Sequence, residues 1–460
     1  MLFSSITFLY YFLPVVLIIY LIVPSKFKNI TLLIFSLLFY FYGEPKYIII
    51  LLLSCFINYI SGLLIEKYRN KSKLILILCV FYNVIQLLYF KYIDFFITNI
   101  NTIFNTNIGL FRIIMPIGIS FFTFQTLSYV VDVYRKDVKA SKKFFDFATY
   151  VSLFPQLVAG PIVRYKTIEK ELKTRKTNFN DFGNGVKRFI IGLSKKVLIA
   201  NILGELCASI TGMNEMTILG SWINSISFTL QIYFDFSGYS DMAIGLGLMF
   251  GFHFLENFNY PFVAKSITDF WRRWHISLSS FFRDYVYIPL GGNRVNKLKW
   301  FRNIFIVWFL TGFWHGAAWN FIIWGLFFAI LLILEKNIWG KYLEKTKILK
   351  YIYTIFFVVI SFTIFNANSF NEVINSLKNM FFINNINFVN NETIYHIRNY
   401  FVIIIIAIIA STPLSKIIIQ KLKYKKIINI LEVIYYFVLL LIVTAFLVDS
   451  SFNPFLYFRF

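Results

Sequence analysis

The sequence predicts an all-α, polytopic membrane protein, and three observations carry that prediction. Apolar residues make up 58% of the chain, aromatic residues 21%, and mean hydropathy is +0.68. No 460-residue globule has enough interior to hide that much apolar surface. Apolar runs of about 20 residues, the length that spans a bilayer, recur from end to end with no long soluble stretch between them. The Lys and Arg residues behind a formal charge of +23 fall in short loops between those runs. Attraction to anionic membrane lipids and the positive-inside rule account for that placement, so no nucleic acid is called for.

The elements follow in order. The run from Ser5 to Val23 lacks a basic n-region and a small-residue cleavage site, so it is expected to remain as the first transmembrane helix. The charge of the loop from Pro24 to Lys28 places that loop inside and the N-terminus outside. Helices over Ile30 to Tyr42 and Tyr47 to Ile65 form a hairpin that returns to the basic loop Glu66 to Lys73. A helix over Leu74 to Phe90 then leads out to an amphipathic, Asn-rich stretch, and Pro116 to Val133 returns to the basic loop Arg135 to Lys143. Phe144 to Val163 is apolar, carries Pro155, Gly160 and Pro161, and is flanked by basic residues on both sides. It reads as re-entrant, with Phe154 to Pro161 as cavity wall, or as a Pro-kinked spanning helix.

Lys187 to Leu203 has Lys195 and Lys196 in mid-run, which suits a helix lying in the interface. Leu219 to Phe252 is long enough for two passes, with a break expected near Gly238. Gln231, Asp235 and Asp241 lie near that glycine, and buried carboxylates must either hold a hydrogen-bonded network together or line a wet path. His253 to Asn303 is the longest polar stretch and is cytoplasmic by charge. Within it, helical spacing puts Trp271, Trp274 and Leu278 on one stripe at headgroup level, and Arg273 one turn after Asp269. An apolar run from Ile304 to Leu334 follows, then the basic loop Glu335 to Lys350 and a helix from Tyr351 to Phe365. The Asn-rich stretch Asn366 to Asn399 lies outside, Tyr400 to Thr412 returns, Lys416 to Lys426 is inside, and Ile427 to Val448 is the last helix. One membrane domain over residues 1–448 is therefore expected, followed by an extracytoplasmic aromatic tail over 449–460.

His315 is the residue that composition singles out. A titratable ring at mid-depth of the Ile304 to Leu334 run is costly in hydrocarbon, so a polar cavity is expected around it. It is either a functional group or a hydrogen-bonded packing residue. His253 and His396 read as an aromatic-flanked structural residue and an exposed loop residue. Cys55, Cys79 and Cys207 have no paired spacing and read as small buried hydrophobes, with neither disulfide nor metal indicated.

Several ordered stretches resemble a known family. Trp271-Arg272-Arg273-Trp274-His275-Ile276-Ser277-Leu278-Ser279, Phe282-Arg283-Asp284-Tyr285, Tyr287 to Arg294 and Thr311-Gly312-Phe313-Trp314-His315-Gly316 resemble the membrane-bound O-acyltransferase (MBOAT) family, in its bacterial polysaccharide O-acetylation branch. The teichoic-acid D-alanylation transferases are a more distant likeness. The resemblance covers essentially the whole chain. It implies a multi-pass protein of the bacterial cell membrane, with about eleven transmembrane helices plus re-entrant and interfacial helices around a central funnel. It also implies His315 as the catalytic histidine and His275 as the second motif histidine, which could instead cap a helix or contact a donor phosphate. Arg272, Arg273 and Arg294 become candidate contacts for the phosphates of an acyl donor such as acetyl-CoA, although lipid headgroups would hold them as well. No tightly bound cofactor is expected.

The tail from Phe455 to Phe460 resembles a C-terminal aromatic motif that, in the D-alanylation machinery, belongs to a separate short membrane protein whose tyrosine is proposed to carry the acyl group. Tyr457 is thus a candidate acyl carrier, or an interfacial anchor. A secreted or membrane-tethered acyltransferase of the SGNH-hydrolase type is the implied partner. The expected activity is acyl transfer, most simply acetyl, from a cytoplasmic thioester toward an extracellular or cell-wall polysaccharide. D-alanyl transfer to teichoic acid is an alternative. A proton-coupled transporter using His315, Asp235 and Asp241 is another, although the hydropathy shows no inverted repeat.

Overall fold

The computed structural model describes residues 1–158, 160–422, 427–449, 452–454 and 456, and it is helical throughout its regular elements. Six described helices are long and apolar enough to cross a membrane: Ile48–Lys67, Arg69–Phe104, Trp319–Glu344, Leu349–Asn366, Asn391–Ala410 and Leu431–Asp449. The polytopic all-α expectation holds. The chain forms two compact units, Met1–Phe189 with Tyr239–Leu255, and Ile190–Gly238 with Glu256–Phe460.

In the first unit, polar side chains hold helices together where the surroundings are apolar. Asn58 and Asn83 exchange amide hydrogen bonds of 3.2 and 2.9 Å, and the Thr126 hydroxyl donates to Asn83 Oδ1 at 3.2 Å. All three are fully buried, so Ile48–Lys67, Ser72–Leu87 and Ile119–Arg135 share one satisfied network. The proline-bearing segment is not one continuous helix. A helix ends at Ser152, a single turn covers Phe154–Leu157, and non-helical chain follows from 160. Phe154, Gln156 and Leu157 are completely buried in protein, and they line neither cavity described below. Irregular backbone is tolerated there because protein surrounds it.

Three expectations change. Leu219 to Phe252 is one continuous helix, Ile218–Met249, with no break at Gly238. A methyl at Gly238 would lie 2.7 Å from the Gly192 carbonyl oxygen, so this glycine serves close packing of a neighbouring element instead of a kink. The Lys187 to Leu203 stretch is helical but does not lie with its lysines in water: Lys196 is buried and paired with Asp235 at 2.5 Å. The stripe of Trp271, Trp274 and Leu278 is interrupted, because the helix Ile267–Arg273 stops before Trp274 and Ile276–Phe282 begins after His275. Both tryptophans are buried in the core of the second unit with Trp308, Trp324 and Phe328.

The second unit is organised by a helical hairpin. Asn296 caps Lys297–His315 by accepting from the Lys299 amide at 2.9 Å. Gly316 is fully extended, which ends the helix, and Trp319–Leu334 starts three residues later. The apolar run is thus broken at His315, which sits at a helix end instead of mid-span. The two arms touch at backbone distance. A methyl on Gly312 would meet the Phe321 carbonyl oxygen at 2.3 Å, and one on Gly325 would meet that of Trp308 at 2.3 Å.

Candidate functional site

His315 closes its helix with its ring boxed by aromatic side chains. Trp324 and Phe365 present edges at 4.9 and 5.4 Å between centroids, and the Trp314 ring lies 4.9 Å away. His315 is 7% exposed and lines a cavity of about 20 Å³, enough for one water, with Asp235, Phe236, Trp274 and Leu456 among its walls. Asn320, one residue into the next helix, donates to the Phe365 carbonyl at 3.1 Å and so locks that wall to the hairpin.

The structure brings His275 near the same indole, 6.0 Å from the Trp314 ring, with Phe236 edge-on at 4.6 Å. His275 is completely buried and has a left-handed backbone, φ 43°, a conformation rare for a residue with a side chain. Asn257 holds it there. Its carbonyl accepts the Ile276 amide at 2.9 Å, and its side-chain Oδ1 accepts the Ser277 amide at 3.2 Å and hydroxyl at 2.8 Å. The same Oδ1 is 3.1 Å from His275 Nδ1. The backbone amide identifies that atom as oxygen, so Nδ1 carries the proton and Nε2 is left as a lone-pair nitrogen with no hydrogen-bond partner among the described residues. Burial in this polar stretch pushes the imidazole down to about 3, so it is neutral.

A second, much larger cavity of about 1660 Å³ opens beside the hairpin. All three arginines singled out from the sequence, Arg272, Arg273 and Arg294, line it, together with Arg283 and the helix-face residues Trp308 and Thr311. Eight of its lining residues are Lys or Arg and three are Asp or Glu, so it favours anions. Arg273 is braced by Asp269 at 2.9 Å, the expected i,i+4 pair, whereas Arg272 and Arg294 are exposed. Glu335 is buried, accepts from the Ile267 and Thr268 amides at 2.7 and 3.1 Å, and so fixes the start of the helix carrying Arg272 and Arg273. Thr311 on the chamber wall and His315 on the small cavity wall are four residues apart on one helix.

Tyr457, the candidate carrier, lies outside the described residues. Leu456, its neighbour in sequence, is buried in the small cavity wall, and its amide donates to Asp235 Oδ2 at 2.9 Å. His253 is exposed and binds Glu171 through Nδ1 at 2.8 Å, and His396 is half-buried on the helix Asn391–Ala410 instead of in a loop. The three cysteines are buried and free. Sequence reasoning did not single out Asn257, Trp324 or Phe365. Lys196 and Asp235 did carry a signal, since each is a charge inside a largely apolar run.

Two buried histidines around one indole, next to a chamber rich in Lys and Arg, in a multi-pass helical protein are the kind of site that acyl transfer within a membrane needs. The chain belongs to the membrane-bound O-acyltransferase family, whose model, described as "MBOAT, membrane-bound O-acyltransferase family", matches residues 136–377. It is 42% identical to the probable alginate O-acetylase AlgI of Pseudomonas aeruginosa over 378 residues, 80% of this chain and 72% of that protein. It is 37% identical to the peptidoglycan O-acetyltransferase of Helicobacter pylori over 425 residues, 84% and 81% of the two chains. A teichoic acid D-alanyltransferase of Bacillus subtilis is 30% identical over 282 residues, 57% of this chain and 71% of that protein.

Proposed function

We propose that this acyltransferase moves an acetyl group from a cytoplasmic thioester, acetyl-CoA, toward O-acetylation of an extracellular or cell-wall polysaccharide. The observation that carries this reading is the pairing of cavities along one helix: Thr311 faces an anion-binding chamber large enough for a nucleotide-bearing thioester, and His315 faces a cavity walled by the C-terminal Leu456. Arg272, Arg273 and Arg294 hold the donor's phosphates. His315 takes the proton of the acceptor phenol on Tyr457 as its oxygen attacks the thioester carbonyl. A carbon–oxygen bond forms, the carbon–sulfur bond breaks, and the proton passes to the leaving thiolate. His275 positions Trp314, and through it the cage around His315. A secreted or membrane-tethered acyltransferase of the SGNH type then carries the group to polymer hydroxyls. The names of the alginate and peptidoglycan relatives support acetyl over D-alanyl transfer, since those likenesses cover more of the chain.

The test is polymer acylation, measured as ester released by mild base from each envelope polymer. His315→Ala and Tyr457→Phe variants of normal membrane abundance should both lose it. Retention in His315→Ala would overturn the catalytic assignment, and retention in Tyr457→Phe the carrier.

A further inference from the structure

The buried pair Lys196 and Asp235 does more than neutralise itself. Each side chain is less than 5% exposed, yet each makes a second contact with the same short piece of chain. Lys196 Nζ donates to the Pro454 carbonyl, and Asp235 Oδ2 accepts from the Leu456 amide at 2.9 Å. Just beyond Lys196, Asn201 Nδ2 donates to Asn453 Oδ1 at 3.2 Å. Asn453 and Pro454 are thus held by Asn201 and Lys196, and Leu456 lies in the wall of the cavity that His315 lines.

An ion pair kept solely for stability is a poor solution in an apolar interior, because two well-packed apolar residues of similar volume hold such a site as well or better. What apolar residues cannot do is hold backbone. A carbonyl and an amide two residues apart need one donor and one acceptor at fixed spacing, and a Lys–Asp pair supplies both without leaving a net buried charge.

We infer that Lys196 and Asp235 are positioning residues that hold Pro454 and Leu456 at the wall of the His315 cavity, a seating on which acyl transfer depends. The inference rests on the carrier reading above for its chemistry, but the seating itself is independent of it. Neither residue lines the donor chamber; Asp235 reaches the His315 cavity only as part of its wall. Loss of the pair should therefore lower turnover and leave donor binding alone.

The experiment uses the full-length protein in vesicles, with Cys55, Cys79 and Cys207 replaced and a single thiol introduced by Leu456→Cys. Labelling of that introduced thiol by a membrane-permeant maleimide reports seating. Lys196→Met strips one anchor but strands a buried carboxylate, so the decisive variant is Lys196→Met/Asp235→Leu, which deletes both charges and both anchors together. In the double variant, labelling should accelerate on the order of tenfold or more, and polymer acylation should fall by a similar factor with the KM for acetyl-CoA within about twofold of the parent. A thiol protected as in the parent overturns the clamp. Faster labelling with undiminished acylation overturns the positioning role. A loss expressed in KM assigns the pair to the donor site, which also overturns it. His315→Ala separates the two claims: the thiol stays protected there, and retained acylation would sink the catalytic reading and leave the clamp standing.

Discussion

Replacing Gly312 by alanine is the sharpest probe of the hairpin that holds His315. The new methyl would lie 2.3 Å from the Phe321 carbonyl oxygen and 3.2 Å from the Ile322 Cα, both backbone atoms that cannot rotate away. Comfortable contact begins about 1 Å further out, so the two helices must part by about that much. Overpacking of this kind costs about 1–3 kcal/mol. The functional cost is larger, because Gly312 is one turn before His315, and a displacement of about 1 Å at a reacting group can reduce turnover on the order of 100-fold. The measurement is paired: a thermal melt of the purified protein in detergent, and acetyl transfer per molecule in vesicles. Gly183→Ala is the control, since nothing lies within 4 Å of a methyl there. We expect Gly312→Ala to melt a few degrees lower and to lose far more activity than stability, while Gly183→Ala matches the parent. A Gly312→Ala protein with parental melting and turnover within about twofold would refute the claim that backbone contact between the arms sets the position of His315.

Two other outcomes follow from the site. Arg272→Gln removes an exposed chamber cation at little structural cost, and it should raise the KM for acetyl-CoA about 3- to 10-fold with kcat nearly unchanged, the effect fading as added salt screens the chamber. The buried His275 ring is neutral when folded and titrates near 6.5 when free, so its contribution to stability is complete above pH 6.5 and is lost as pH falls toward 3. A His275→Gln variant should therefore lose less melting temperature than the parent between pH 6.5 and about 4, and an identical acid slope would contradict the neutral ring.

Much of the fold and part of the site were legible in the residues. Long apolar runs dictate helices because a lipid solvent leaves backbone groups no other partner, and that logic does not depend on tertiary contacts. His315 stood out for a similar reason, as a polar ring in an apolar run, and the three arginines through the motifs that resemble the family. What could not be read is what tertiary packing decides. Gly238 looks like a break in isolation, yet a neighbouring carbonyl at 2.7 Å makes it a contact point within a continuous helix. Lys196 looks interfacial until Asp235, far along the chain, supplies its counter-charge. Asn257 lies in an unremarkable loop 18 residues before His275, and nothing local announces that its one oxygen fixes a tautomer. Trp324 and Phe365 are ordinary apolar residues whose value lies only in facing the same ring.

The anchors on the C-terminal segment bind a carbonyl and an amide, groups that most residues present alike. The two anchoring bonds themselves touch only backbone, and they do not require that the segment be joined to the helix before it. A free peptide of the same length would make the same two bonds. What the covalent tether adds is local concentration, on the order of millimolar for a short linker, so that the segment returns to its seat faster than a separate one could find it. Splitting the chain after the last helix and supplying the remainder in trans would then cost occupancy, recoverable by expressing more of it, and not the geometry of the seat.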